Sequence, residues 1–229
     1  MTTAIISLAL LLSGLLFFVG GYCISSVFYF NKHQVKYSLF RMFPYEFNYP
    51  SSFKNNIYGN IAFIIGMLGI VGSGVFCLLK EQTALSVTNI VIIVLLISST
   101  GLICFLFFMP LYYLRTHMIV SSLMMVLSMA IPALISFNAI NQLKVALTTA
   151  NKALSISALV ISVLLAIAML LFTFNPKATY KIYLEKAVDE NGQEKVVRPH
   201  FIPMAFNEWL SIIIFALSPI GIILLAFIK

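Results

Sequence analysis

Six apolar runs, each long enough to cross a bilayer and none carrying an ionisable side chain, fix the class of fold before any motif is weighed. They are Ala4 to Phe30, Tyr58 to Leu79, Ala84 to Met109, Met118 to Phe137, Leu154 to Phe174 and Trp209 to Ile228. About 20 consecutive apolar residues span the hydrocarbon as a helix, which bonds every backbone N–H and C=O within its own segment. The rest of the composition agrees. The chain is 61% apolar and 9% charged, with a mean hydropathy of +1.04, whereas soluble domains are about one-quarter charged. The sequence therefore predicts an all-α, polytopic membrane protein. A six-transmembrane-helix bundle forms a single integral-membrane domain over residues 1–229, with an interfacial loop at 31–57 and a polar loop at 175–207. The first run has no Lys or Arg before Asn31 and exceeds the length of a signal-peptide core. It reads as a retained span, tilted to fit its length.

Within the second run, Gly59, Ala62, Gly66, Gly69 and Ser73 recur at steps of three and four residues. On a helix they form one narrow seam, and close backbone approach at such seams holds membrane bundles together where lipid supplies no hydrophobic drive. Ser155, Ala158, Ser162 and Ala166 make a similar row on the fifth run, the expected mate for the seam. Pro132 and Pro219 fall inside spans four and six and are expected to kink them or free a carbonyl. Ser98, Ser99 and Thr100 are expected to bond back to their own helix.

Of the fourteen Lys and Arg residues, ten fall in the connections after spans one, three and five, including Arg41, Arg115 and Arg198. The positive-inside rule places those loops in the cytoplasm and both termini outside a multi-pass cell-membrane protein. The 31–57 loop interleaves Lys32, Lys36, Arg41 and Lys54 with Tyr37, Phe40, Phe43, Tyr45, Phe47, Tyr49 and Phe53, and Pro44 and Pro50 break it. That pattern describes a segment lying in the head-group layer. Tyr112 and Tyr113 sit at interface depth in the short connection from Pro110 to His117. In the 175–207 loop, Asn191-Gly192 is a hairpin signal. A two-residue turn there would pair Tyr180–Val188 with Gln193–Arg198 and set Glu185 opposite Arg198. The net charge of +7 has no Lys/Arg run behind it and suits anionic lipid rather than nucleic acid.

Candidate chemistry lies on the basic side. His33, His117 and His200 are the only histidines, each in a different loop of that side, and Arg-x-His occurs twice, at Arg115–His117 and Arg198–His200. With Arg41, Glu46 and Glu208 they could form an anion or head-group contact, since guanidinium recognises phosphate bidentately and histidine donates or accepts near neutral pH. Paired metal-ligand spacing is missing, and Cys23, Cys77 and Cys104 show no C-x-x-C, so neither metal nor cofactor is expected. Gly72-Ser73-Gly74 and Gly20-Gly21 read as structural glycines, and Met118, Met124, Met125 and Met129 as packing. The leading expectation is a non-catalytic membrane subunit or scaffold. Its cytoplasm-facing loops would contact lipid head groups, a membrane-protein partner or a second copy. A small-solute transporter or channel along the seam is one alternative. An enzyme acting on a phosphate-bearing lipid through the Arg/His face is the other.

Overall fold

The computed structural model describes residues 2–48, 56–80, 86–108, 113–173, 185–188, 194–197 and 199–228. Among the described residues six helices are long and apolar enough to cross a membrane, and the chain is a multi-pass helical membrane protein. The first five are α1 (Thr2–His33), α2 (Ile57–Lys80), α3 (Val87–Phe108), α4 (Leu114–Val145) and α5 (Thr149–Thr173). The sixth crossing is built from α6 (Pro203–Leu217) and α7 (Pro219–Ala226). Large core side chains such as Leu11, Ile70, Ile92, Leu96, Ile131 and Phe215 fill the middle of the bundle and are almost wholly buried.

Several helix ends differ from the apolar runs, and two of them carry further consequences. Helix α4 continues past Phe137 to Val145, leaving only residues 146–148 before α5. Its added turns carry Asn138, whose side-chain NH2 donates to the Asn89 carbonyl oxygen at 2.9 Å and ties α4 to α3. The sixth crossing starts at Pro203 rather than Trp209, with proline at the first helical position, where no N–H is required. Pro219 separates α6 from α7. The carbonyl of Phe215, which the proline cannot serve, accepts the Ser218 N–H at 3.2 Å instead. Pro132, by contrast, lies within an unbroken α4.

The small-residue seam on α2 packs against α1, not α5. Buried positions on α1 are Ala4, Ser7, Leu11, Gly14, Phe18, Gly21 and Ser25, an alternation of three and four residues. This is the repeat of a left-handed helix pair. A Cβ built on Gly66 would lie 2.7 Å from the Phe18 nitrogen, and one on Gly14 would lie 2.7 Å from the Ile70 nitrogen. Gly69 meets the Gly14 Cα in the same way, at 2.8 Å. The two backbones touch, so no larger residue fits at these three points. Gly59 closes against Ser25 and Asn56, and Ser73 is buried beside Ile70. The α5 row has a different neighbour. Ser155, Ala158 and Ser162 are buried, and a Cβ on Gly221 of α7 would come within 2.6 Å of the Ser162 hydroxyl.

Beyond α1, Gln34 takes a left-handed φ of 56°, and its N–H donates to the Phe30 carbonyl at 2.7 Å. That residue ends the helix and turns the chain back. The described part of the aromatic loop, through residue 48, then folds into the end of the bundle rather than lying flat on it. A 3-10 turn, Pro44–Asn48, is buried there. We call this the plug end. The strands β1 (Glu185–Val188) and β2 (Glu194–Val197) pair antiparallel, with Glu185 opposite Val197. The register is thus one residue away from the expected one, because five residues separate the last paired positions and an unbulged two-residue turn cannot close that gap. Pro50, Tyr49, Phe53, Lys54, the Pro110–Tyr112 connection, the Asn191-Gly192 turn and Arg198 lie outside the described residues.

Backbone contact at Gly14 and Gly66 sets a sharp test. Gly66→Leu or Gly14→Leu should lower detergent stability by at least the 1–3 kcal/mol typical of an overpacked core, seen as a drop in unfolding temperature. Cys104→Ala, at an exposed position, should stay within about 0.5 kcal/mol of the parent. Equal unfolding temperatures for all three variants would contradict the seam.

Candidate functional site

The plug end concentrates the polar chemistry of the bundle. Two local features of the sequence and one long-range bond assemble it. Glu46 stands three residues after Phe43, and its Oε1 accepts the Phe43 N–H at 2.8 Å, closing the turn that Pro44 starts. Tyr37 lies far enough upstream to reach back, and its hydroxyl donates to the Phe43 carbonyl at 2.8 Å. Trp209, one residue after Glu208, sends its indole N–H to the Met42 carbonyl at 3.0 Å, with the Tyr37 oxygen also within reach at 3.1 Å. Around this point the Tyr37 ring stacks on Phe47, and Tyr22 meets Tyr37, Phe47 and Trp209 edge-on. One further backbone bond, from Ile202 N–H to the Phe40 carbonyl at 2.8 Å, joins the plug to the start of α6.

Asparagines complete the attachment. Asn60 on α2 donates to Asn48 at 2.7 Å, and Asn48 donates to the Phe107 carbonyl at 3.0 Å, at the end of α3. Asn56 donates to the Ser25 hydroxyl of α1 at 2.7 Å. Asn48 therefore holds α2 and α3 to the turn, and Asn56 ties the start of α2 to α1.

Beside the plug, His117 in the first turn of α4 meets Glu208 on α6. Nε2 and Oε1 are 2.8 Å apart, and both side chains are completely buried. Phe43 and Tyr45 rest edge-on against the imidazole, each with its ring centroid at 5.8 Å. The second carboxylate oxygen of Glu208 and the hydroxyl of Ser121 are buried close to one another, outside hydrogen-bonding geometry. Glu46 is near enough to act electrostatically on both Glu208 and Tyr37. Burial pushes the Tyr37 phenol well above its ordinary value of 10, and the Glu46 carboxylate adds to the shift. Tyr37 therefore stays protonated, a donor, throughout the neutral range.

Of the eight residues singled out in the sequence, Arg198 lies outside the described residues and the other seven part into two groups. His117, Glu208 and Glu46 converge, and all three are enclosed. Arg115 and His200 are exposed, Arg41 and His33 are half-buried, and the His33 ring lies against Tyr29 at 4.5 Å. Ionisable groups were expected at the rims of the bundle, and the first and second turns of helices are where His117 and Glu208 sit. Enclosure is the part that linear sequence does not show, since it is the folded-in loop that covers them. Tyr37, Asn48, Asn56, Asn60 and Trp209 were not picked out as a set. The signal available was three asparagines bracketing the start of α2, in a membrane protein where an amide needs a partner. Deeper in the bundle, the Thr100 hydroxyl bonds back to the Leu96 carbonyl at 2.9 Å as expected, while the Ser99 hydroxyl is buried without a partner. Among the described residues no group of three His, Cys, Asp or Glu could hold a metal ion, and the three cysteines are free thiols.

Fold and site together define a helical multi-pass membrane protein with a capped end. Comparison with protein-family models, with curated proteins and with solved structures finds no match.

Two measurements probe the plug end. Removing one member of a buried hydrogen-bonded pair leaves the other unpaired, at a cost of about 1–3 kcal/mol and more where the group is charged. His117→Leu and Glu208→Leu should each lower thermal stability accordingly, and the double variant should recover much of the loss; additive losses would show that the two groups act independently. Tyr37 gives a pH test. Its folded-state pKa lies above the unfolded one, so its contribution is complete below about pH 10 and fades as pH rises toward the folded value, by up to about 1.4 kcal/mol per pH unit. Tyr37→Phe should cost roughly 1 kcal/mol at pH 7 and flatten the alkaline limb of the stability profile.

Proposed function

We propose that the protein is a non-catalytic integral membrane subunit whose plug end rests on anionic lipid head groups. The observation that carries this reading is the division of labour at that end. His117, Glu208 and Glu46 are turned inward and engaged, while what faces outward is basic and aromatic. Lys32, Lys36, Arg115 and His200 are exposed there, as are Phe30, Val35, Phe40 and Phe201. Aromatic rings beside cationic side chains suit the boundary between head groups and acyl chains, where rings insert and charges meet phosphate. The lysine and arginine bias of these loops is consistent with a cytoplasmic plug end and with termini on the opposite side. A partner protein or second copy would then be recruited across lipid-anchored helices rather than through a soluble domain.

A second reading, catalysis on a phosphate-bearing lipid, draws on the His117–Glu208 contact. An imidazole held by a carboxylate is a common way to position a general base. It has less support than the first because Phe43 and Tyr45 flank the imidazole and both members are fully buried. Transport has less again, since the described middle of the bundle is filled by apolar side chains such as Ile92, Leu96 and Ile131.

Retention of phosphatidylglycerol by protein in mixed nanodiscs, read by native mass spectrometry, separates these readings. A basic residue near an anionic surface contributes about 1 kcal/mol, so the Lys36→Ala/Arg115→Ala variant should lose roughly thirtyfold in affinity for anionic lipid and keep its fold. Unchanged retention, or loss on His117→Leu instead, would favour the enclosed pair as the working site.

A further inference from the structure

The end of the bundle opposite the plug holds a cavity of about 280 Å³ between α2, α3, α4 and α7. Its polar wall is Ser86, Thr88, Asn89, Asn138, Asn141 and Gln142, and its apolar wall includes Cys77, Leu78, Ile135 and Ile222. None of these described residues is charged. Asn89 is 97% buried, exposing only 3%, and its one side-chain bond is the 2.9 Å contact from Asn138. Among the described residues that bond leaves an NH2 on Asn89 and an acceptor oxygen on Asn138 unpartnered. Asn141 is exposed, Gln142 half-buried, and both add a further donor and acceptor.

We infer that this cavity binds an uncharged polyhydroxyl group of about one sugar ring, either free in solution or as the head of a neutral glycolipid. Three features select that class. An ion entering a pocket lined by neutral groups would lose hydration with no opposite charge to replace it. Primary amides offer a donor and an acceptor side by side, which matches neighbouring hydroxyls that are each both. A sugar ring also has a C–H face, and the Leu78, Ile135 and Ile222 side supplies its complement. The volume sits near the lower limit of ligand pockets, enough for a single ring and too small for an oligosaccharide. This site is separate from the plug end, and its failure leaves the head-group reading untouched.

Full-length protein in phosphatidylcholine nanodiscs serves for the test. One arm adds methyl glucoside in solution, read by saturation-transfer NMR; the other dopes the disc with diacylglyceryl glucoside, read by native mass spectrometry. Permethylated glucoside, which keeps the ring and lacks every donor, is the control. Binding in the first arm identifies a solute, and binding in the second alone identifies a lipid head. In either arm Asn141→Leu/Gln142→Leu should weaken it at least about tenfold, the loss of one to two net hydrogen bonds. Both positions lie near the surface, so the unfolding temperature should hold. Absence of binding in both arms, equal binding of the permethylated control, or an unaffected double variant would each overturn the inference. The control comparison on the parent protein decides the matter even if the variant misfolds.

Discussion

Hydrocarbon accepts no hydrogen bonds, and this one constraint organises the whole molecule. It forces the six crossings to be helical and it leaves their association to close packing. The α1–α2 pair shows the consequence at its plainest: glycines let two backbones touch, and the contact energy comes from many dispersion contacts at short range rather than from expelled water. Several polar side chains inside the bundle meet the same constraint by bonding to backbone carbonyls. Ser128 lies between the carbonyls of Met124 and Ser211 at 2.7 and 2.9 Å, and Ser136 bonds back to Pro132 at 2.9 Å. The helix break at Pro219 is tolerated because Ser218 takes over the neighbouring carbonyls.

The plug at one end is a second solution to the same problem. A loop packed against the ends of α1, α2, α3, α4 and α6 brings unpaired backbone groups with it. Here Glu46, Tyr37, Trp209 and the asparagines supply the partners, while a continuous set of aromatic rings keeps the bonds dry. Dry hydrogen bonds are stronger, and unpaired ones more costly. Single side chains in the plug therefore serve several partners at once. Loss of the Trp209 indole, for example, would strip a donor from Met42 and a ring from Tyr22, Phe47 and Phe107 together.

How far the sequence speaks depends on whether a feature is local. Apolar runs fixed the crossings because span length is a property of consecutive residues. The seam on α2 stood out for the same reason, as glycines are conspicuous among isoleucines. Its mate on α1 was harder to see: between Ala4 and Ser25 the buried positions alternate with exposed leucines such as Leu12 and Leu16, and a helix apolar all round hides its packing face. Contacts that join distant segments leave no linear trace. His117 and Glu208 are 91 residues apart, and Asn138 looked like the end of a span until the continued helix brought it to Asn89. The strand register slipped for a smaller reason, since Asn-Gly marks a turn without fixing how many residues it contains.

The two ends of the bundle obey opposite rules for one physical reason. A carboxylate and an imidazole can be shut away only as a pair, because enclosure removes their hydration and only the partner replaces it. The plug end therefore had to be closed around them, and Phe43 and Tyr45 complete the enclosure. Neutral amides carry a smaller desolvation cost and need no counter-charge. Asn89 and Asn138 can satisfy one valence on each other and leave the next facing a cavity, where water or a hydroxyl serves equally well. The same helix, α4, meets both conditions, with His117 in its first turn and Asn138 two turns from its last residue. The buried His117–Glu208 pair is enclosed at one end, and neutral amides face a cavity at the other.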